Sequence, residues 1–323
     1  MVLLFEEAVR QYKSINPEVL IRIAEDARGR GRCSVLPTFT RFGASNFIIF
    51  LAFDDEEATR WVARFPILGP GGISPDPSSL RTVIESMVVT MNYVSTNTSI
   101  PVPQVHRWDG GTDNELRRPF VIMDAAKGNH LYELEEAGFD MDATVDKLSS
   151  FVEQWARYTS ELAKLQFDCI GNLNQDSQGN IHVGQLLTHS NLLFSPFMDD
   201  DTLRGPFTSV ADYLLTESYL AREGIRSPKN HRFNLSYNEF LQSKLIESLM
   251  PFYIDTALLN GPFVLSHVDF DLQNILVDET DNFKIVSIVD WDLAAVLPLQ
   301  SHVRVPDMLM CDKWTKSGAY AEK

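Results

Sequence analysis

Apolar and polar positions change period along the chain, and the changes divide it. Over residues 3–27 apolar side chains recur at helical spacing, and the turn-prone Arg28-Gly29-Arg30-Gly31 closes the run. One amphipathic helix is predicted there. Strand character takes over from 33 to 65. β-branched and aromatic runs at 35–42, 46–53 and 59–65 are separated by Gly43-Ala44-Ser45 and by Asp54-Asp55-Glu56-Glu57. Three strands with two short turns predict an antiparallel meander. Residues 66–79 hold four prolines and three glycines, an irregular loop. Ser78 or Ser79 then caps a helix to about Val94, with Leu80, Val83, Ile84, Met87, Val88 and Met91 on one face. Two more strands are predicted at 102–108 and 119–124.

After Ala125-Ala126-Lys127-Gly128 the pattern turns mostly helical, with helices predicted at 142–167, 208–223 and 236–259. Short apolar runs return at 263–265, 275–277 and 285–289. The chain has no internal repeat and no low-complexity tract. A β-rich lobe over 1–123, a connector at 124–128 and a helical lobe over 129–323 make an α+β bilobal protein.

Composition narrows the partners. Of 323 residues, 44% are hydrophobic and 22% charged, with a formal net charge of −16. Such acidity disfavours nucleic acid and anionic membrane surfaces. The charge is uneven. Residues 1–127 carry 14 basic and 15 acidic side chains, while 128–323 carry 14 basic and 29 acidic. An acidic second half suggests either a cationic partner or surface acidity that serves solubility. Cys33, Cys169 and Cys311 are odd in number and far apart, so they read as free thiols in a reducing compartment. The opening Met1–Phe5 is too short for a signal peptide, and no apolar run nears the roughly 18 residues of a membrane span. A soluble cytoplasmic chain is expected.

The candidate chemistry lies between Leu265 and Leu293, in LSHVDFDLQNILVDETDNFKIVSIVDWDL. It contains His267-x-Asp269-x4-Asn274, a hairpin, and Asp290 at the end of an apolar strand. Phosphoryl transfer needs a carboxylate to orient the attacking hydroxyl and accept its proton. It also needs oxygen ligands that fix Mg²⁺ on the nucleotide phosphates. A carboxylate with an Asn five residues later can flank one phosphate, and a second carboxylate on the return strand comes back beside the Asn. Mg²⁺ prefers such oxygen ligands.

HVDFDLQNILVD followed by IVDWD resembles the aminoglycoside phosphotransferases and related small-molecule kinases, fungal members included. The resemblance implies a protein-kinase-like bilobal fold, with an antiparallel β-sheet N-lobe and a mainly helical C-lobe. It also implies ATP and Mg²⁺ as cofactors and a small-molecule hydroxyl as acceptor. In that mapping Asp269 is the catalytic base, Asn274 and Asp290 are magnesium ligands, and His267 anchors the loop. Asp292 occupies the second acidic position and supports the loop or the substrate. Gly43-Ala44-Ser45-Asn46 falls where the phosphate-covering loop lies. Arg64, in the third strand, is the cation for the α/β-phosphates, and Glu85 in the next helix is its partner. The segment 119–124 with Gly128 is the strand and hinge, where backbone groups at Asp124, Ala125 and Ala126 hold adenine.

The sequence departs from the family pattern in four places. Val268 replaces a Gly, which requires a backbone without positive φ there. Asp271-Leu272-Gln273 replaces His-Pro-Gly. Arg64 replaces a Lys, keeping the charge and adding a planar fork. Only 33 residues follow Asp290, where relatives continue through helices that finish the acceptor pocket. Two alternatives stay open. One is a non-catalytic kinase-like nucleotide-binding or interaction module. The other is a protein kinase, disfavoured because Asp290-Trp291-Asp292 replaces DFG and too little chain follows for an activation segment. Asp199-Asp200-Asp201 and Gly69-Pro70-Gly71-Gly72 read as plain loops.

Overall fold

The computed structural model describes residues 2–43, 45–68, 77–131, 133, 145–188, 192, 201–226 and 237–302. The chain opens with two helices, α1 (Val2–Lys13) and α2 (Pro17–Arg28), where the sequence pattern predicts one. The break has a local cause. Pro17 cannot donate to the preceding turn, and the Asn16 side chain caps α2 by accepting from the backbone N–H of Glu18 at 3.0 Å. Gly29, at φ 73°, ends α2 with its N–H on Glu25 O at 2.8 Å.

Strands β1 (Cys33–Phe42), β2 (Asn46–Phe53) and β3 (Arg60–Pro66) form the expected antiparallel meander. Helix α3 (Pro77–Asn97) follows, then β4 (Val105–Asp109) and β5 (Phe120–Asp124). The five strands lie in the order β1-β2-β3-β5-β4, all pairs antiparallel. Period-2 alternation divides β2 between two faces. Phe47, Ile49, Leu51 and Phe53 are buried in a cluster with Leu20 and Ala24 of α2. Ile48 and Phe50 point the other way, into a cleft beneath the sheet.

After Gly128 the chain enters a second sheet. There β6 (Asn129–His130) pairs with β11 (Ile275–Asp278), which pairs with β12 (Lys284–Ile288). Gly128 adopts φ 91°, and a Cβ on it would stand 2.6 Å from Val277 O, so the backbones touch and only glycine fits. Helix α4 (Val145–Ala163) packs on β12 and on β10 (Phe263–Ser266). β10 lies between β7 (Gln166–Phe167) and β13 (Ala295–Pro298). A small hairpin, β8 (Leu173–Gln175) with β9 (Ile181–Val183), precedes two helices that pack on each other, α5 (Val210–Arg226) and α6 (Tyr237–Tyr253). The predicted helix over 236–259 stops earlier, because Asp255 accepts from the Ala257 N–H at 2.8 Å and starts a separate short 3₁₀ turn. A short α7 (Leu299–His302) closes the described chain. One large core runs through α3, α4, β10 and β11 and includes Trp291, so the sheet lobe and the helical lobe share it. The architecture is α+β: an antiparallel sheet lobe followed by a lobe built mainly of helices. No helix among the described residues is long and apolar enough to cross a membrane.

Candidate active site

The motif residues lie on a frame of strand ends. β10 delivers His267, a buried ring whose neighbours fix its tautomer. The Asp269 backbone N–H donates to Nδ1 at 3.3 Å, so Nε2 carries the hydrogen and donates to Val289 O at 2.9 Å. The ring also meets Trp291 edge-on at 4.6 Å. Burial pushes the His267 pKa down to about 4, against opposing pulls from Val289 O and Asp269. The expected anchor role fits this geometry. Val268 has no positive φ, so its branched side chain sits there without backbone strain.

Asp271 accepts from the Leu272 N–H at 2.7 Å and starts a single 3₁₀ turn, Leu272–Asn274, which feeds β11. That turn aims Asn274 back at Asp269. The Asn274 amide nitrogen donates to the Asp269 carbonyl and to its Oδ2, each at 2.8 Å. The nitrogen is thereby committed, which leaves the Asn274 oxygen as the atom to face a cation. Gln273 adds a clamp, its Nε2 lying 3.1 Å from each Asp269 carboxylate oxygen.

Asp290 follows β12 in the left-handed region, at φ 64°. Its carboxylate and the guanidinium of Arg64 meet at 2.7 Å. Asp292 takes more of that guanidinium, with Oδ1 accepting from Nη1 at 2.7 Å and Oδ2 from Nη2 at 2.5 Å. Burial alone works against the Arg64 charge, yet Asp292 and Asp290 hold its pKa above the ordinary value. The Asp290 carboxyl is pushed up, chiefly by desolvation and further by Asp292 and Asp269, with Arg64 opposing. Asp269, Asn274, Asp290, Asp292 and Arg64 all line one cavity of about 1180 Å³. Gly43, Ser45 and Asn46 cover it from the β1–β2 turn.

Asp124, Ala126 and Gly128 of the connector line the same cavity. The Asp124 N–H donates to Gln104 O at 2.9 Å and the Ala125 N–H to Arg60 O at 3.0 Å. The Asp124 carboxylate meets His106 Nε2 at 2.7 Å, and the His106 ring stacks on Trp61 at 3.8 Å. Desolvation raises the Asp124 pKa, but the His106 contact and the Gln104 N–H outweigh it and leave it lowered. Asp124 and Ala126 line the cavity.

The described family of phosphotransferase enzymes, APH, matches residues 43–300. The chain belongs to the APH phosphotransferase family. The match runs from Gly43 through the 124–128 connector and the motif to α7. A curated relative, altered inheritance of mitochondria protein 9, mitochondrial, of Lachancea thermotolerans, is 25% identical over 111 residues. That similarity spans 32% of this chain and 18% of the relative, so less than a fifth of the relative's length is matched. Among solved structures, the GDP and kanamycin complex of APH(2″)-IIIa is 16% identical, over 86% of this chain and 73% of that one, with a TM-score of 0.46. A thermostable mutant of aminoglycoside phosphotransferase APH(4)-Ia, in ternary complex with AMP-PNP and hygromycin B, is 14% identical over 87% and 73%, with a TM-score of 0.48.

Two expected site residues of this APH chain stand elsewhere. Glu85 does not meet Arg64; it pairs with Arg81 at 2.8 Å on an open face of α3. Helical geometry explains it, since Glu85 is off the apolar face that packs inward. The α3 side chain that reaches Arg64 is Met87, whose Sδ lies 3.3 Å from Nη1. Ala125 does not line the cavity, and its N–H is already used by Arg60. Ala44 lies outside the described residues, as do Asp199-Asp200 and the segment 69–72.

Sequence reasoning missed three features: the Gln273 clamp, Met87 facing Arg64, and the two-point grip of Asp292. The apolar face of α3 carried a signal for Met87. Asn274 and Asp290 are oxygen donors on one cavity wall and fit a hard cation such as Mg²⁺, which keeps several waters and uses few protein ligands. Among the described residues no three His, Cys, Asp or Glu side chains cluster as a self-sufficient metal site.

Proposed function

We propose that this chain transfers the γ-phosphate of ATP to a hydroxyl of a small cationic molecule. The supporting observation is that Asp269, Asn274, Asp290 and Arg64 line one cavity with the hinge residues Asp124 and Ala126. A nucleotide lying there takes its base edge at the hinge, where backbone groups at Asp124 and Ala126 are the candidates, the Ala125 N–H being committed. Gly43, Ser45 and Asn46 cover the phosphates from above, and small residues let backbone N–H groups approach. Once a cation draws on Asp290, Arg64 can turn the Nη2–H it gave to Asp290 toward the phosphate oxygens while Asp292 keeps its fork. Mg²⁺, held by Asn274 and Asp290, would supply charge neutralisation on the phosphates. Asp269 orients the acceptor hydroxyl and takes its proton, with Asn274 fixing the carboxylate's direction. The division of labour follows as a lobe over 1–123 covering the nucleotide, a hinge at 124–128 and an acceptor-side lobe over 129–323.

Charge supports a cationic acceptor. Glu133, Asp269, Asp290 and Asp292 line the cavity, and the acidic excess sits in the second half of the chain. Cys33 and Cys169 are free thiols, consistent with a reducing compartment such as the cytoplasm. The test is ADP release by purified protein with Mg·ATP against amino alcohols, aminoglycosides and uncharged polyols of similar size. Turnover favouring the amines supports the assignment. Equal turnover on polyols removes the cationic acceptor, and ADP release with no member of any class removes the transfer.

A further inference from the structure

We propose that Asp292 is the positioning residue for Arg64, holding from the helical lobe the cation that an α3 glutamate was expected to hold. The inference rests on the reading of the cleft as a nucleotide-phosphate site. Helix α3 carries one acidic residue, Glu85, and it is paired with Arg81 in solvent. At about 100° per residue, Glu85 stands roughly 200° round the helix from Met87, the position that faces Arg64. No rotation of the Glu85 side chain brings it to that face, so α3 offers Arg64 only a thioether.

The two carboxylates that do hold Arg64 are unequal. Asp292 is 10% exposed and engages both terminal guanidinium nitrogens, the planar two-point geometry in which Arg pairs best with a carboxylate. Asn46 reaches the same carboxylate, with Nδ2 3.4 Å from Oδ2, and so ties the phosphate loop to it. Asp290 is 44% exposed and makes one contact. A ligand drawing on Asp290 therefore leaves the Asp292 fork standing, and Arg64 keeps its place. The fork joins β3 to the segment after β12 across 228 residues of sequence. The phosphate-facing cation is thus set by contact between the lobes and not by the position of α3.

The test uses the full chain and Mg-free ADP in EDTA, read by calorimetry, beside steady-state kinetics. Asp292→Asn keeps the shape and removes the charge. Its expected effect is ADP affinity down about tenfold, with nucleotide KM raised more than kcat is lowered. Asp292→Glu recovers part of the affinity, and Arg64→Lys, which loses the fork, behaves like Asp292→Asn. Glu85→Gln binds ADP within about twofold of the parent. Parent-like ADP affinity in Asp292→Asn, or a comparable loss in Glu85→Gln, overturns the proposal. Urea midpoints of Arg64→Gln, Asp292→Asn and the double variant separate this from the functional reading. If the parent binds no ADP, that reading fails, while a double variant no less stable than the single ones still supports the pair. Strictly additive losses overturn it.

Discussion

The His267 ring makes the pH dependence of stability calculable. Its tautomer is fixed by the Asp269 N–H on Nδ1 and by Val289 O, which accepts from Nε2–H. A second proton would have to sit on Nδ1, against the Asp269 N–H. Burial holds the pKa at about 4 instead of the ordinary 6.5, against the pulls of Val289 O and Asp269 toward the charged form. Between those values the unfolded chain binds a proton that the folded chain does not. Stability therefore falls as pH falls through that window, and the ring exacts no penalty above it. At about 1.4 kcal/mol per pH unit, the full penalty, reached below the lower value, is about 3 kcal/mol. His267→Gln retains an N–H for Val289 and has no charge to gain. Urea midpoints in EDTA, from about pH 4 to about pH 7, should diverge between parent and variant, with the parent losing about 3 kcal/mol more on acidification. Carboxylates that titrate in both proteins cancel in the difference. Parallel curves would refute the neutral buried ring.

Three further outcomes follow from packing and from the clamp on Asp269. Gly128→Ala places a methyl group 2.6 Å from Val277 O in a left-handed backbone, so we expect a melting temperature lower by several degrees and weaker ADP binding at the displaced hinge, read by thermal shift. Phe263→Ala empties a fully buried site in the central strand of its sheet, and urea unfolding should show a loss of about 3–5 kcal/mol. Gln273→Gly frees both Asp269 oxygens from the amide at 3.1 Å, so the acceptor KM should fall about twofold to tenfold with nucleotide KM unchanged, measured by steady-state ADP release.

Much of this was legible in the residues. The apolar run at 46–53 marked β2 as a strand of the meander, though its two faces appear only in the fold, and the spacing of His267, Asp269, Asn274 and Asp290 placed those groups on one loop-and-hairpin frame. The break before Pro17 is legible too, through Asn16 and the missing N–H, but the apolar period runs on across it and masks those signals. Glu85 was assigned by its order in the chain although the apolar face of α3 already excluded it. The pairing of Arg64 with Asp292 had no local signature. Two side chains 228 residues apart meet only once the shared core has docked the lobes, and one sequence carries no record of that.

The most direct measurement compares the parent with Asp269→Asn on an acceptor that supports ADP release. The substitution keeps shape and removes the carboxylate proposed to accept the proton. Phosphoryl transfer should drop by about a hundredfold or more, while Mg·ATP binding by calorimetry stays within about twofold of the parent. A variant that transfers phosphate at the parent's rate would contradict the account.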